Sequence, residues 1–264
     1  MNRSIEDTPI VFIGAGNLGT NLAKALYRKG FRIVQIYSHT LESASALAQQ
    51  VEAEYTNDLS AVCPDAGLYI VSLKDAPFLQ LLPEIVAGKR EDALFVHTAG
   101  SIPMEVWKGK VNHYGVLYPL QTFSKQREVD FSEIPLFVEA SDEKHCTWLQ
   151  NFASVLSSHV RVADSEQRRR LHLAAVFACN FSNHMYAMAN VLVQHSGLPF
   201  EVLLPLIDET ARKVHALPPK EAQTGPAVRF DQNVIGSHLK MLQDEPELQQ
   251  IYELVSKSIH QYHE

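Results

Sequence analysis

The sequence predicts an α/β fold in which a doubly wound parallel sheet is followed by an all-α C-terminal domain. Three observations indicate this fold. Short β-rich runs alternate with helical segments from Pro9 to about Val162, a glycine-rich turn follows the first of these runs, and the chain is helical in character from Asp164 onward. We therefore expect two domains, residues 1–163 and residues 164–264.

Hydrophobic patterning defines the elements of the first domain. Ile10–Ile13 is a continuous apolar run, as expected of a strand that is buried on both faces. Asn17–Lys29 is predicted to form a helix that ends at Gly30. Further strands are expected at 33–37, 68–73, 94–97, 116–118, 137–138 and 159–162, and further helices at 41–50 and 143–156.

The second domain begins with a helix-start signal. Asp164 followed by Gln167 matches a capping box, no glycine or proline occurs from there to His195, and Gly197 follows as a helix terminator. This pattern predicts one uninterrupted helix of about thirty residues, roughly 45 Å long. Three more helices are expected at 200–216, 233–243 and 246–260.

Composition and charge exclude several classes of function. The net charge of −7 argues against nucleic-acid binding, which requires clustered Lys and Arg. The short run Arg168–Arg170 is interpreted as a solvated helix face. No apolar stretch approaches the roughly 18 residues that a membrane span needs, and the first residues show no signal peptide. We therefore expect neither a nucleic acid nor a membrane as partner.

Cysteine and histidine usage predicts a reducing compartment and no bound metal. The three cysteines are far apart and form neither a disulfide framework nor a paired metal spacing, which is typical of a cytoplasmic protein. The twelve histidines are scattered. His260 and His263 have helical spacing, but they lie near the charged end of the chain without a third ligand, so no metal site is predicted.

The glycine-rich turn has the pattern of a dinucleotide-binding loop, as in the Rossmann fold. It directly follows a predicted strand and opens a helix, which makes the G-x-G-x-x-G pattern specific here. The first glycine permits a tight turn, the second lets the backbone approach a pyrophosphate, and the third lets helix and strand pack closely. The helix N-terminus adds N–H groups and a positive dipole end. The predicted pyrophosphate-binding residues are Gly14, Ala15, Gly16, Asn17, Leu18 and Gly19.

The end of the second predicted strand indicates which dinucleotide is bound. Domains that prefer NAD place an Asp or Glu there to hold the ribose 2′-hydroxyl. This chain has Ser38, His39 and Thr40 instead, and its first carboxylate is Glu42. Two hydroxyls and an imidazole can donate hydrogen bonds to a 2′-phosphate, so the predicted cofactor is NADP.

Residues at the other strand ends are expected to complete the site, because ligands of doubly wound sheets lie across the carboxyl ends of the strands. The further predicted cofactor contacts are Ser72, Leu73, Lys74 and Ala99, and the predicted substrate contacts are Gln121, Thr122, Thr224 and Arg229. Arg229 equally suits a structural ion pair with Asp231.

The long predicted helix carries the candidate catalytic residues. His172, Asn180 and Asn183 lie on neighbouring faces of an otherwise apolar helix, where unpaired polar side chains are costly to bury. They form either a polar patch over the nicotinamide, with His172 as proton donor, or a hydrogen-bonded core between helices. The run Leu171–Ala178 is apolar on nearly all sides, which predicts a helix buried all round and a homodimer formed through the helical domain.

Together these residues resemble those of a known family. The resemblance lies in the G-A-G-N-L-G turn, His97–Ser101, Tyr118–Phe123, His172–Phe181, and the C-terminal motif of Thr224–Pro226 with Arg229, Asp231 and His238. These motifs are similar to those of bacterial Rossmann-like NADP oxidoreductases with a C-terminal helical domain of unknown function. That architecture is similar to pyrroline-5-carboxylate reductase and to deazaflavin-dependent NADP reductases. The resemblance implies a nicotinamide enzyme with a helical dimerisation domain.

One departure from a related family narrows the predicted chemistry. β-Hydroxyacid dehydrogenases carry a proton-donating lysine three or four residues before an Asn on the equivalent helix, whereas this chain has Val176 and Phe177 before Asn180. We therefore expect an NADP-dependent reductase acting on a small carbonyl or imine, with His172, an Asn or water as the proton source. The alternative is a non-enzymatic NADP-binding sensor or regulatory module.

Overall fold

The computed structural model describes residues 7–264. The chain forms two compact units, of which the first ends at Cys179 and the second spans Asn180–Glu264. The first contains an eight-stranded sheet with helices on both faces, and the second is helical. The predicted α/β fold with a helical C-terminal region is thus confirmed. The domain boundary placed after residue 163 stays a prediction.

The sheet is mostly parallel. Its strands are β1 (Ile10–Ile13), β2 (Ile33–Tyr37), β3 (Glu54–Thr56), β4 (Leu68–Val71), β5 (Leu94–His97), β6 (His113–Pro119), β7 (Leu136–Ala140) and β8 (Val160–Val162), in the spatial order β3-β2-β1-β4-β5-β6-β7-β8. Only β6 and β7 pair antiparallel. This pair differs from the predicted sheet because residues 120–135, which join the two strands, contain no crossover helix to return the chain in the parallel direction.

Helices cover both faces of the sheet. Those of the first unit are α1 (Asn17–Arg28), α2 (Leu41–Ala48), α3 (Asp75–Val86), α4 (Glu143–Ser154) and α5 (Ser165–Ala175). Side chains of β1 alternate between the two resulting cores. Ile10 and Phe12 belong to the core shared with α1, α2 and α4, and Val11 and Ile13 belong to the core shared with α3.

Two elements of the first unit are absent from the sequence prediction. Helix α3 contains Pro77 and Pro83, which interrupt the pattern that marks a helix. Strand β3 has only three residues at the edge of the sheet, and they are exposed or half-buried. A short polar edge strand has no apolar periodicity, so hydrophobic patterning does not detect it.

The predicted long helix is helical without being uniformly α-helical. Helix α5 begins with the predicted capping box, in which Asp164 and Gln167 exchange hydrogen bonds between side chain and backbone. A π-helical segment, Val176–Phe181, follows α5 and precedes α6 (Ser182–His195). The prediction of an uninterrupted α-helix is therefore wrong. A π-helical turn needs neither glycine nor proline, so these residue types gave no sign of it.

The first turn of α5 is fastened to the sheet by a buried polar network. Arg168 is 1% exposed and forms an ion pair with Glu139 of β7. Its guanidinium also donates to the carbonyl oxygen of Ile102, at 2.6 Å. The N–H and hydroxyl of Ser165 donate to the Glu139 carboxylate, and the N–H of Met104 donates to the Ser165 hydroxyl at 2.9 Å. The network joins α5 to β7 and to the segment after β5.

The interpretation of the Arg168–Arg170 run as solvated is wrong for its first residue. Arg169 and Arg170 are exposed and pair with Glu166 on the surface. Consecutive helical residues point about 100° apart, so only one of the three can face the sheet. Charge counting alone does not show which residue that is.

The second unit is built from helices alone. They are α6, α7 (Leu204–Ala216), α8 (Pro219–Ala222), α9 (Gln232–Met241) and α10 (Pro246–His263). Its buried apolar side chains are only Ala227, Ile235 and Leu242. Within residues 7–264 no helix is long and apolar enough to cross a membrane.

Replacing Glu139 with Gln leaves the buried Arg168 cation without its counter-charge. We expect this variant to lose about 3–5 kcal/mol of unfolding free energy, the usual cost of breaking a buried ion pair from one side. Urea unfolding measures it. The matched control is Glu166→Gln, which removes an exposed carboxylate and is expected to cost at most about 1 kcal/mol. Equal losses in the two variants would contradict the role of the buried pair.

Candidate functional site

Strands β1 and β4 lie side by side at the point where the winding of the sheet reverses. From β1 the chain proceeds to β2 and β3 on one side, and then crosses to β4, β5 and β6 on the other. Such a switch point leaves a crevice at the carboxyl ends of the strands, where doubly wound sheets bind their ligands. Gly14 and Ser72 are the residues that follow these two strands.

The three glycines of the cofactor cradle (Gly14–Gly19) have different surroundings. Gly14 has a φ of 117°, and a Cβ there would overlap the carbonyl oxygen of Ser72. A Cβ on Gly19 would overlap the carbonyl oxygen of Gly14. Gly16 is exposed, and no atom lies within 4 Å of the position that its Cβ would take. Gly14 and Gly19 therefore serve close packing, whereas Gly16 leaves space for a ligand.

The cradle opens helix α1 with no group that would repel an anion. Gly16 is the N-cap of this helix and offers no side chain to it, and the first turn contains no acidic residue. The N–H groups and the positive dipole end of the helix therefore lie beside the space at Gly16. A pyrophosphate fits this cradle both sterically and electrostatically.

The predicted NADP-selecting residues follow β2 directly. The N–H of Gly14 donates to the carbonyl oxygen of Tyr37 at 2.8 Å, so the end of β2 adjoins the cradle. Ser38 is buried, whereas His39 and Thr40 are exposed. The hydroxyl of Thr40 is also the N-cap of α2, so it already accepts a backbone hydrogen bond. The contact of these three side chains with a 2′-phosphate stays a prediction.

The loop after β4 is tied to the loop after β5. Ser72 and Leu73 are half-buried, and Lys74 is exposed at the N-cap of α3. Asp75, the first residue of α3, accepts a hydrogen bond from the hydroxyl of Ser101. This hydrogen bond therefore joins the two loops that carry the predicted cofactor contacts Ser72, Leu73, Lys74 and Ala99.

His97, the last residue of β5, is a buried histidine that the sequence prediction did not place in the site. Its Nδ1 accepts a hydrogen bond from the N–H of Ala99, at 3.2 Å. Burial lowers the pKa of His97 to about 3, and the Arg168 cation contributes to the shift. The imidazole therefore stays neutral and holds the backbone of Ala99, a predicted cofactor contact. Its position directly before the Thr98–Ala99 turn was the available signal.

Tyr118 and His172 form a hydrogen-bonded pair beside this loop. The hydroxyl oxygen of Tyr118 lies 3.0 Å from Nδ1 of His172. The imidazole lies against the backbone of Gly100, where a Cβ would come within 2.7 Å of the ring. The pair therefore lies at the carboxyl ends of β5 and β6, on the edge of the sheet that bears the cofactor cradle.

Tyr118 was not among the predicted site residues. Burial raises its pKa, which the charge of Arg168 only partly opposes, so the hydroxyl stays protonated at neutral pH. A tyrosine hydroxyl at the end of an otherwise apolar strand needs a partner when buried, and this was the signal in the sequence. A hydroxyl in hydrogen-bond reach of an imidazole can hold or pass on a proton.

Gln121 and Thr122 lie in the loop that follows β6, and both are exposed. This loop lines a cavity of about 400 Å³. The side-chain amide of Asn21 in α1 donates to the carbonyl oxygen of Ser124 at 3.0 Å, which holds the loop against the helix that follows the cradle. The structure thus brings two of the four predicted substrate contacts, Gln121 and Thr122, to a loop beside α1.

The remaining predicted site residues belong to the second unit. Asn180 and Asn183 are exposed, so the cost of burying unpaired amides does not apply to them. Thr224 lines a cavity of about 340 Å³ formed within that unit. Arg229 is exposed, and no ion pair with Asp231 occurs among residues 7–264. Asp231 instead caps α9. The roles of Asn180, Asn183, Thr224 and Arg229 stay predictions.

Replacing Gly16 with Ala places a methyl group in the space beside the helix N-terminus. We expect the variant to fold normally, because nothing adjoins that position, and to bind NADPH at least tenfold more weakly, which corresponds to about 1.4 kcal/mol. Fluorescence titration and thermal unfolding measure the two quantities. Gly236→Ala in α9, where a Cβ also meets no atom, is the matched control and should leave affinity unchanged. Unchanged affinity in Gly16→Ala would refute the cradle.

Comparison with known proteins agrees with this geometry. Residues 9–100 match the family described as NADP oxidoreductase, coenzyme F420-dependent. Residues 134–259 match a domain of unknown function, DUF2520. A search of curated proteins finds no match. The first matched segment contains the cradle, and the second contains Glu139, Arg168 and His172.

Solved structures extend the likeness to the whole chain. An imine reductase from Myxococcus stipitatus in complex with NADP⁺ is 16% identical, with a TM-score of 0.65 over 96% of this chain and 92% of that one. A pyrroline-5-carboxylate reductase from Coxiella burnetii is 16% identical, with a TM-score of 0.57 over 96% of each. At this identity the likeness shows the fold alone.

A structure from Bacteroides fragilis, designated an NADP oxidoreductase, is far more similar. It is 70% identical, with a TM-score of 0.95, and the match covers 98% of this chain and all of that one. The chain therefore belongs to the same family of NADP oxidoreductases, and its cofactor is NADP.

Proposed function

We propose that the protein is an NADP-dependent reductase of a small carbonyl or imine. The observation that carries the proposal is the 3.0 Å contact between Tyr118 and His172 at the carboxyl edge of the sheet. Bound NADPH would supply a hydride to the carbon of a C=O or C=N bond. The chain must then supply a proton to the oxygen or nitrogen of that bond, and the pair is the group suited to do so.

His172 is the proton donor in this proposal, and Tyr118 is its positioning partner. An imidazole ring can give up a proton to the substrate and take one back from solvent after each turnover. The hydroxyl of Tyr118 orients the ring through Nδ1, and the absence of a side chain at Gly100 leaves room for it. Retention of the Tyr118 proton, favoured by its raised pKa, keeps this hydrogen bond available across the neutral range.

The further residues of the proposed site follow the sequence expectation. We propose that the cofactor is held by Gly14, Ala15, Gly16, Asn17, Leu18, Gly19, Ser38, His39, Thr40, Ser72, Leu73, Lys74 and Ala99, and the substrate by Gln121 and Thr122. Substrate contacts by Thr224 and Arg229 and catalytic roles for Asn180 and Asn183, all in the second unit, stay predictions. The imine reductase and the pyrroline-5-carboxylate reductase with this fold make a C=N bond the first substrate class to test.

Replacing His172 with Ala removes the proposed proton donor. We expect turnover to fall about 100-fold or more, with NADPH affinity nearly unchanged, because the cradle is untouched. NADPH consumption, followed by absorbance over a panel of cyclic imines, keto acids and aldehydes, measures turnover. Tyr118→Phe keeps the ring and removes the hydrogen bond, so a smaller loss is expected. His159→Ala, an exposed histidine elsewhere in the first unit, is the control.

Thermal unfolding distinguishes a catalytic histidine from a structural one. A catalytic role predicts that His172→Ala melts within a few degrees of the parent chain. If the variant melts early and its folded fraction turns over normally, the assignment of His172 is wrong.

We propose a homodimer formed through the second unit, which buries too little apolar surface to be stable alone. Both clusters of the hydrophobic core lie in the first unit. Large apolar side chains of the second unit are exposed, among them Leu192, Leu206, Met241 and Leu254. Exposed apolar area of this extent marks an interaction surface, and a two-fold dimer is the commonest way to cover it.

Light scattering at micromolar concentration tests the dimer. We expect twice the mass of a single chain, because association buries the apolar side chains of the second unit. The mass should not change on dilution through the low micromolar range, as expected of a large apolar interface. A mass equal to one chain would contradict the proposal.

A further inference from the structure

A second group of ligating side chains lies at the opposite edge of the sheet from the cofactor cradle. His113 is the first residue of β6, and Asp142 and His145 lie at the start of α4. Strand β6 is parallel to β5, so its last residue, Pro119, lies at the edge of the sheet that bears the cradle. His113, at the other end of the same extended strand, is about 20 Å from Pro119. The group is therefore separate from the Tyr118–His172 pair.

The three side chains bring their ligand atoms close together. One such atom from each of His113, Asp142 and His145 lies within 4.8 Å of the other two. The two imidazoles stack with their centroids 4.3 Å apart and an angle of 28° between their planes. Nδ1 of His145 lies 2.7 Å from a carboxylate oxygen of Asp142. A cation bound between these two atoms takes the Nδ1 lone pair of neutral His145, with the ring proton on Nε2, in place of this hydrogen bond.

The backbone already holds these residues together. The N–H of Ser141 donates to the carbonyl oxygen of Tyr114 at 2.8 Å. Ser141 directly precedes Asp142, and Tyr114 directly follows His113, so this bond holds the two ligand-bearing segments side by side. The other carboxylate oxygen of Asp142 caps α4 by accepting the N–H of His145 at 2.9 Å. The backbone at a strand end and a helix cap therefore needs little reordering when a cation binds.

We propose that His113, Asp142 and His145 form a zinc site that joins the start of β6 to the start of α4. Two histidines and a carboxylate are the ligands of zinc sites that keep an open coordination position. The side chain of Asp142 is 43% exposed, so water reaches that position. Because the ligands come from two elements of the folded unit, bound zinc stabilises the fold.

Calorimetric titration of the untagged full chain with zinc chloride tests the site. The parent for the test carries His260→Gln and His263→Gln, which remove the spaced histidines of α10. We expect one Zn²⁺ per chain, a higher melting temperature with zinc, and visible absorption typical of a low-coordinate site when Co²⁺ replaces it. His113→Gln and His145→Gln should each weaken binding at least tenfold and abolish the rise in melting temperature.

Two further variants separate ligand loss from misfolding. Asn caps helices as well as Asp does, so Asp142→Asn should keep the metal-free melting temperature while losing zinc affinity. His159→Gln, at an exposed histidine of the same unit, should bind zinc like the parent. Absence of zinc binding in the parent, or equal affinity in the parent and in His113→Gln and His145→Gln, would overturn the proposal.

Discussion

The buried ion pair between Arg168 and Glu139 is the interaction on which the geometry of the first unit depends. A guanidinium at 1% exposure is costly unless it is paired, so the first turn of α5 must lie against β7. His172 follows one helical turn after Arg168, and the two side chains share a face of the helix. Fixing Arg168 therefore also fixes the imidazole that contacts Tyr118 and Gly100.

Two histidines of this region, His97 and His172, lie in different surroundings. His97 is fully buried near Arg168, so its imidazole stays neutral over the whole physiological range and serves the backbone of Ala99. His172 is half-buried at the edge of the sheet, where it meets a hydroxyl instead of a backbone N–H. A histidine that stays neutral suits the role of holding a loop, whereas the role proposed for His172 is to give a proton to the substrate.

Features that depend only on residues close together in the sequence could be predicted from local patterns. The cradle needs three glycines between a strand and a helix, and all of that lies in one short segment. Tyr118 and Arg168 escaped prediction because their roles arise from residues far away in sequence. The His113–His145 group escaped for the same reason: its ligands come from two elements, and no spacing rule joins them. The π-helical segment has no residue signature either. For the antiparallel β7, the lack of a predicted helix between the strands at 116–118 and 137–138 was a signal that the prediction did not use.

The surroundings of two glycines set different limits on how this protein can evolve. At Gly14 the obstacle to a side chain is the main-chain oxygen of Ser72, which is present whatever residue occupies position 72. No second-site substitution can relieve that overlap, so this position is expected to be invariant in functional descendants. At Gly100 the obstacle is the His172 ring, a side chain. A lineage that lost this histidine would free Gly100 to change, so under the proposed function the loss of both residues would mark relatives that use a different proton source.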